Sequence, residues 1–295
     1  MAQPHHTPRL HRTEEAITVL FCLVDDAYRI LNPRSERYAS IKRLSDSEVL
    51  ALALFQQLRG VESEQSFLRR EAERFFAHLF PGVVGLWPSS LNRRLRKLRR
   101  FLEPLRRTVV GELVGEPETL IVDSTLLEVL HPRQVGQSAG LEGAAWIRWG
   151  SFSVYGVKLH LLCASNGVPV SYELTPANAA EVRLTEELLA EAGLGEEVGR
   201  RLLGDLAYRS EQLEDALAEC GVLLVTDRAE QCGERQRIEI CFSSLKRVFG
   251  LGETLAKTLV GLATRIAAKI AAYTYGFYVN RLLGRPQGRI KELWA

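Results

Sequence analysis

The sequence predicts an α/β protein: a mixed sheet flanked by helices and preceded by an all-helical N-terminal segment. Three observations carry this. Up to about residue 114 the apolar residues recur at helical spacing, punctuated by capping and stop signals. After Gly115 short apolar runs alternate with helical stretches, the layout of an α/β sheet. Asn166-Gly167 joins two such runs as a hairpin, so antiparallel pairing is added to parallel crossovers.

The first helix is predicted over Glu14 to Leu31, because Asn32-Pro33 disfavours helix at its end. Ser45 with Glu48 forms a capping box that opens a second, running to Arg59-Gly60. A third starts at Ser63 or Ser66, carries Phe67, Phe75, Phe76 and Phe80, and stops at Pro81-Gly82. The fourth starts at Pro88-Ser89-Ser90 and continues to about Leu113 with a kink or break at Pro104. Strands follow over Thr119 to Val122, Phe152 to Cys163, Val168 to Leu174, Arg201 to Gly204 and Val222 to Thr226. Helices fill Glu181 to Gly193, Ser210 to Cys220, Glu234 to Val248 and Thr254 to Leu283. The Gly-rich stretch from Pro132 to Trp149 is predicted to be a mobile loop.

Composition bounds the class. At 295 residues, with 46% hydrophobic and 25% charged residues, the chain fits a soluble globular protein of one or two domains. Five scattered cysteines without a CxxC pair argue against a disulfide framework or a structural zinc site and fit a reducing compartment. No apolar segment is long enough to span a bilayer and no secretory signal is visible, so no membrane partner is expected. The total charge of +2 says little, but Pro88 to Arg107 holds eight Arg or Lys against one Glu.

Three carboxylates stand out. Asp123 closes the run Leu120-Ile121-Val122, Asp205 closes Leu202-Leu203-Gly204, and Glu239 lies inside a helix. Acids at strand ends are costly to bury without positive charge, and the carboxyl ends of neighbouring strands share one crevice. Together they form a candidate cage for divalent cations. Taken singly, each acid is more often a cap or a surface group. Arg235 and Lys246, at i−4 and i+7 from Glu239, share its helical face, an arrangement that suits a phosphodiester. Glu253 fits by spacing but lacks such partners.

In these residues the chain resembles the DDE transposases of bacterial insertion sequences, which have an RNase H-like catalytic core. Arg235, Glu239 and Lys246 match the spacing of the family signature Tyr-x2-Arg-x3-Glu-x6-Lys, with Cys232 at the Tyr position. Val122-Asp123-Ser124-Thr125, Tyr155 to Leu161, Leu174 to Asn178 and Gly204 to Tyr208 look like further blocks in the family's order. The resemblance implies an RNase H-like catalytic domain over 115–295 and a helical, helix-turn-helix-like DNA-binding domain over 1–114. It implies DNA cleavage at element ends and strand transfer into target DNA, with Asp123, Asp205 and Glu239 holding two Mg²⁺ (or Mn²⁺). It also implies Arg235 and Lys246 on DNA phosphates, double-stranded DNA (terminal inverted repeats and target) as partner, a homodimer in the synaptic complex, and a bacterial cytoplasmic setting.

Arg93, Arg94, Arg96, Lys97 and Arg100 surround an apolar stripe of leucines. Eight cations with almost no neighbouring acid favour DNA binding over a merely solvated face. Ser89, Ser90 and Asn92 either reach base edges or cap the helix. Lys158 and His160 alternate along one strand face, as DNA contacts or as a surface pair. Glu181, Glu186, Glu187 and Glu191 are expected to form a solvated acidic face. Two rivals remain: a catalytically inactive transposase-derived DNA-binding protein, and a haloacid-dehalogenase-like phosphohydrolase, which wants an acid where Thr125 stands.

Overall fold

The computed structural model describes residues 7–34, 39–130, 141–193, 199–227, 229, 231, 233–253 and 256–294. The chain divides into two compact units, one comprising residues 1–109, 248–250 and 264–295, the other 110–247 and 251–263.

The first unit is helical. Thr7–Leu31 ends where Pro33 predicted. Asp46–Leu58 carries the expected capping box, with Glu48 N–H donating to Ser45 Oγ at 3.1 Å and Ser45 N–H to Glu48 Oε2 at 2.5 Å. Ser63 caps the next helix, which loosens into a π turn at Leu68–Ala72. The basic helix runs Pro88–Leu98, a 3₁₀ turn follows at Arg99–Phe101, and a new helix occupies Leu102–Val114. The helix is thus broken rather than kinked, just before Pro104, which sits in the first turn of the new helix, where the missing N–H has no helical acceptor to lose. The unit's core is aromatic. Phe55 meets Phe67 and Phe76 edge-on at 5.8 and 5.3 Å, and Tyr28 meets Phe101 at 4.9 Å.

The second unit is built on a six-stranded mixed sheet: β1 Thr119–Leu130, β2 Ala145–Trp149, β3 Phe152–Ala164, β4 Pro169–Pro176, β5 Arg200–Leu203 and β6 Val222–Val225. β3 pairs antiparallel with β1 on one edge and with β2 and β4, end to end, on the other; β5 and β6 extend the sheet in parallel beyond β1. This is the mixed sheet flanked by helices that the sequence predicted. One face carries Leu120, Val122, Leu162, Ala164 and Leu202 against Leu188, Tyr208, Leu213 and Leu217. The opposite parity, including Ile121, Leu159, Leu161 and Leu203, is buried too. The helix Gln236–Arg247 contacts β1 and buries Ile238, Cys241, Phe242 and Leu245. Burial on both faces accounts for the unbroken apolar runs.

Two expectations about strands are corrected. Asp123 does not end β1, because Ser124 to Leu130 continue the antiparallel ladder with β3. Only the parallel pairing with β5 stops early, at Ile121 opposite Leu203. Residues 145–149 of the supposed loop form β2, and Trp146 lies 5.4 Å from the Tyr155 ring; residues 131–140 fall outside the described ones. The hairpin turn is present. Gly167 takes φ +86°, its N–H donates to Ala164 O at 2.8 Å, and Val168 N–H donates to Asn166 Oδ1 at 3.1 Å.

Candidate active site

Register brings the two aspartates together. Continuing the β1–β5 pairing two residues past Ile121 and Leu203 places Asp123 beside Asp205. Each uses one carboxylate oxygen locally. Asp123 Oδ1 accepts the Ser124 N–H at 2.8 Å, and Asp205 Oδ1 accepts the Ala207 N–H at 2.9 Å, capping the 3₁₀ turn Leu206–Tyr208. Each turns the other oxygen to one guanidinium nitrogen: Arg235 Nη2 lies 3.1 Å from Asp123 Oδ2 and 3.8 Å from Asp205 Oδ2. Asp205 thus caps the turn with one oxygen and turns the other toward Arg235.

Arg235 sits one residue before the helix Gln236–Arg247, which contacts β1. At the far end of that helix Lys246 Nζ donates to Thr125 Oγ1 at 2.6 Å. Thr125 shares the β1 face of Asp123, so Arg235 and Lys246 both reach the same edge of the site. Glu239 lies between them on the helical stripe and is exposed. It is not joined to the aspartates, and among the described residues no group of three His, Cys, Asp or Glu is placed to hold a metal ion. Cys232 falls outside the described residues.

Electrostatics marks the same spot. Burial pushes the Asp123 carboxyl above its ordinary range, against the Ser124 N–H and Arg235, and Asp205 adds to the rise. The guanidinium thus does not offset the burial of the Asp123 carboxyl. Lys246 is lowered by burial, and Asp123 opposes the shift. The donor set, carboxylate oxygens on adjacent strands, fits a hard divalent cation.

Behind β1 lies a polar cluster that the sequence reading missed. Ser124 Oγ donates to Glu181 Oε1 at 2.8 Å, and Lys158 Nζ donates to the same oxygen at 3.0 Å and to Ala179 O at 3.1 Å. Glu181 is thus no part of a solvated face, and Lys158 is turned inward at 7% exposure. A signal existed: a lysine at an inward position of a strand requires an anion. His160 is fully buried, its Nε2 2.9 Å from Thr175 Oγ1. Burial, aided by Lys158, pushes its imidazole down to about 4. The folded state therefore holds it neutral while the unfolded chain protonates near pH 6.5. Stability is fully present above 6.5 and falls as pH drops toward 4, by on the order of 2 kcal/mol between pH 6.5 and 5. Urea denaturation at pH 7 and 5 should show this slope, and His160→Gln should flatten it.

In the helical unit Arg93, Arg96, Lys97 and Arg100 are exposed. The first three line a groove of about 560 Å³ with Pro88, Ser89, Asn92 and Glu64. Arg94 differs. Its guanidinium donates to Leu44 O and Asp46 Oδ1, both at 2.6 Å, and ties helices together. Asn92 donates to Glu64 Oε1 at 2.9 Å, and the helix N-cap is Trp87, so Ser89 and Ser90 are not its cap.

Asp123, inside β1, and Asp205, just past β5, thus stand side by side on adjacent parallel strands of this mixed sheet. Residues 115–228 match the family described as Transposase DDE domain. The chain thus resembles the DDE-type transposases over the segment that holds Asp123 and Asp205, while Arg235, Glu239 and Lys246 lie beyond the match. No curated protein matches the sequence. Among solved structures, the piggyBac transposase synaptic complex with hairpin DNA is similar at 10% identity and TM-score 0.47, over 96% of this chain and 76% of that one. The Mos1 mariner paired end complex with Mn is similar at 11% identity and TM-score 0.31, over 84% and 83%. Among the described residues no helix is long and apolar enough to cross a membrane.

Proposed function

We propose that the protein is an insertion-sequence transposase that cleaves DNA at the ends of its element and joins the freed 3′ hydroxyl to target DNA. The observation that carries this is one guanidinium nitrogen shared by Asp123 and Asp205, at 3.1 and 3.8 Å. The pocket is built around positive charge, at the crevice where such sheets bind ligands. Asp123, Asp205 and Glu239 would hold Mg²⁺ or Mn²⁺. When bound, two such ions would supply charge neutralisation at the attacking and leaving oxygens of the phosphodiester. The first two acids already adjoin, and Glu239 lies one helical turn from the residue that bridges them.

Arg235 and Lys246 supply fixed cations on either side of Glu239, placed to hold the phosphates that flank the scissile bond. Both steps are in-line displacements, in which positioning and charge neutralisation do most of the catalysis. Double-stranded DNA is the partner, and pairing of two element ends calls for a homodimer. In the helical unit Arg93, Arg96, Lys97 and Arg100 are the proposed phosphate ligands. Arg94 and Lys158, engaged inside the fold, are assigned to positioning instead. A catalytically inactive DNA-binding descendant would share the basic helix; the intact aspartate pair argues against it, and cleavage separates the two readings.

The test is cleavage of DNA spanning the gene's own flanks, with Mg²⁺ or Mn²⁺. Cuts at inverted repeats are expected, and binding without cutting would favour the inactive descendant. The variant Arg93→Ala/Arg96→Ala/Lys97→Ala should bind these ends more weakly, with the salt slope reduced by about 0.9 for each phosphate no longer neutralised. An unchanged slope in filter-binding or anisotropy titrations would remove the basic helix from the interface.

A further inference from the structure

We propose that Glu181 is a positioning residue for the DNA-processing site: through Ser124 and Lys158 it fixes the part of β1 that carries Asp123. The inference rests on the transposase reading above. Side chains alternate across a strand, so Asp123 faces Arg235 while Ser124 points to the other side of the sheet. There Glu181 Oε1 accepts from Ser124 Oγ at 2.8 Å and from Lys158 Nζ at 3.0 Å. In the β1–β3 register Ser124 stands opposite His160, and Leu126 opposite Lys158. One carboxylate oxygen therefore links the segment after β4 to both central strands, at the level of Asp123. Ala179 O, from that same segment, accepts from Lys158 as well, at 3.1 Å.

An ion pair this far inside is seldom the most stable choice. Apolar residues of similar volume commonly match or exceed it, because desolvation offsets much of the attraction. What the pair supplies is direction. It sets the Ser124 hydroxyl, and with it the backbone that presents Asp123, where a misplacement of about 1 Å can cost about a hundredfold in rate. The Tyr208 hydroxyl, fully buried and without a hydrogen-bond partner, lies within the field of Glu181, Asp123 and Asp205. Both sides of β1 are thus polar at this level, and the acid's placement depends on the rear side being held.

Four proteins decide the matter: the parent, Glu181→Ala, Glu181→Asp and Ser124→Ala. Single-turnover cleavage at saturating DNA, DNA-end affinity, Mn²⁺ affinity by calorimetry and melting are measured for each. Glu181→Ala should cut about thirtyfold more slowly and bind Mn²⁺ several-fold more weakly, with DNA-end affinity within about twofold of the parent. Glu181→Asp should recover part of the rate. Ser124→Ala keeps the Lys158–Glu181 pair and should shift rate and Mn²⁺ affinity the same way, by less. If Glu181→Ala does not fold, Ser124→Ala decides alone. Folded variants with parental rate and Mn²⁺ affinity overturn the proposal, as does a loss confined to melting temperature. A parent that binds Mn²⁺ but never cuts removes the transposase reading instead, and Glu181 is then judged on Mn²⁺ affinity. A parent that does neither removes both.

Discussion

Asp123→Asn is expected to lower DNA-end cleavage by about a thousandfold or more, yet to leave the metal-free protein as stable as the parent or slightly more so. The first half follows from charge. Losing one of the anions proposed to hold the divalent cations would forfeit several kcal/mol of neutralisation, and each 1.36 kcal/mol is tenfold in rate. The second half follows from the direction of the carboxyl's shift. Burial raises it above the ordinary range despite the Ser124 N–H and Arg235. A carboxylate raised in this way is a burden on the fold at neutral pH, relieved when it is protonated or replaced by a neutral amide. Asparagine can still accept the Ser124 N–H through Oδ1. Melting in EDTA and cleavage with Mg²⁺, on one preparation, test both halves. Parental cleavage would remove the metal cage, and a much lower melting temperature would make Asp123 a scaffold residue.

Arg106→Ala should be the most damaging change in the helical unit, costing about 3–5 kcal/mol, without weakening DNA binding by whatever protein remains folded. Arg106 is fully buried. Its Nε and Nη2 donate to the two oxygens of Glu103 at 2.9 and 2.6 Å. Removal takes away a large, fully buried side chain and leaves a cavity, while Glu103 keeps the Arg107 Nε at 3.0 Å. Arg93→Ala, exposed on the groove, should change stability by less than about 0.5 kcal/mol. Denaturation of the two variants side by side separates scaffold cations from surface ones, and equal stabilities would contradict the burial of Arg106.

That contrast marks what a sequence can disclose. Arg93 and Arg106 look alike along the chain, two cations beside a leucine stripe, because local spacing carries no information on which flank is covered. Local chemistry was legible: the capping box at Ser45, the turn at Asn166-Gly167 and the stop at Pro33 each act within a few residues. The acid just past β5, Asp205, and the Arg235–Lys246 stripe were legible for the same reason. The unforeseen parts are long-range or compositionally quiet. β2 is short and hidden among glycines and tryptophans. Asp123 resembles a terminator because a carboxylate is unusual in mid-strand, whereas β1 continues through it on the strength of its pairing with β3. Glu181 meets Ser124 from 57 residues away, and nothing in its acidic neighbourhood distinguishes it from Glu186 or Glu187.

The irregularity in β1 between Glu128 and Leu130 has a consequence for how this chain can diverge. Strand phase has only two states, so a one-residue slip would send Asp123 to the rear of the sheet and bring Ser124 forward. On the Asp123 side of the bulge the ladder is continuous from Leu120 to Glu128. It closes at Gly156, where a Cβ would come within 2.1 Å of Leu127 O. Insertions or deletions on that side would swap the two faces, whereas changes of length past the bulge leave the phase of Asp123 untouched. Descendants should therefore vary in length downstream of residue 128 and hardly at all between residues 120 and 128.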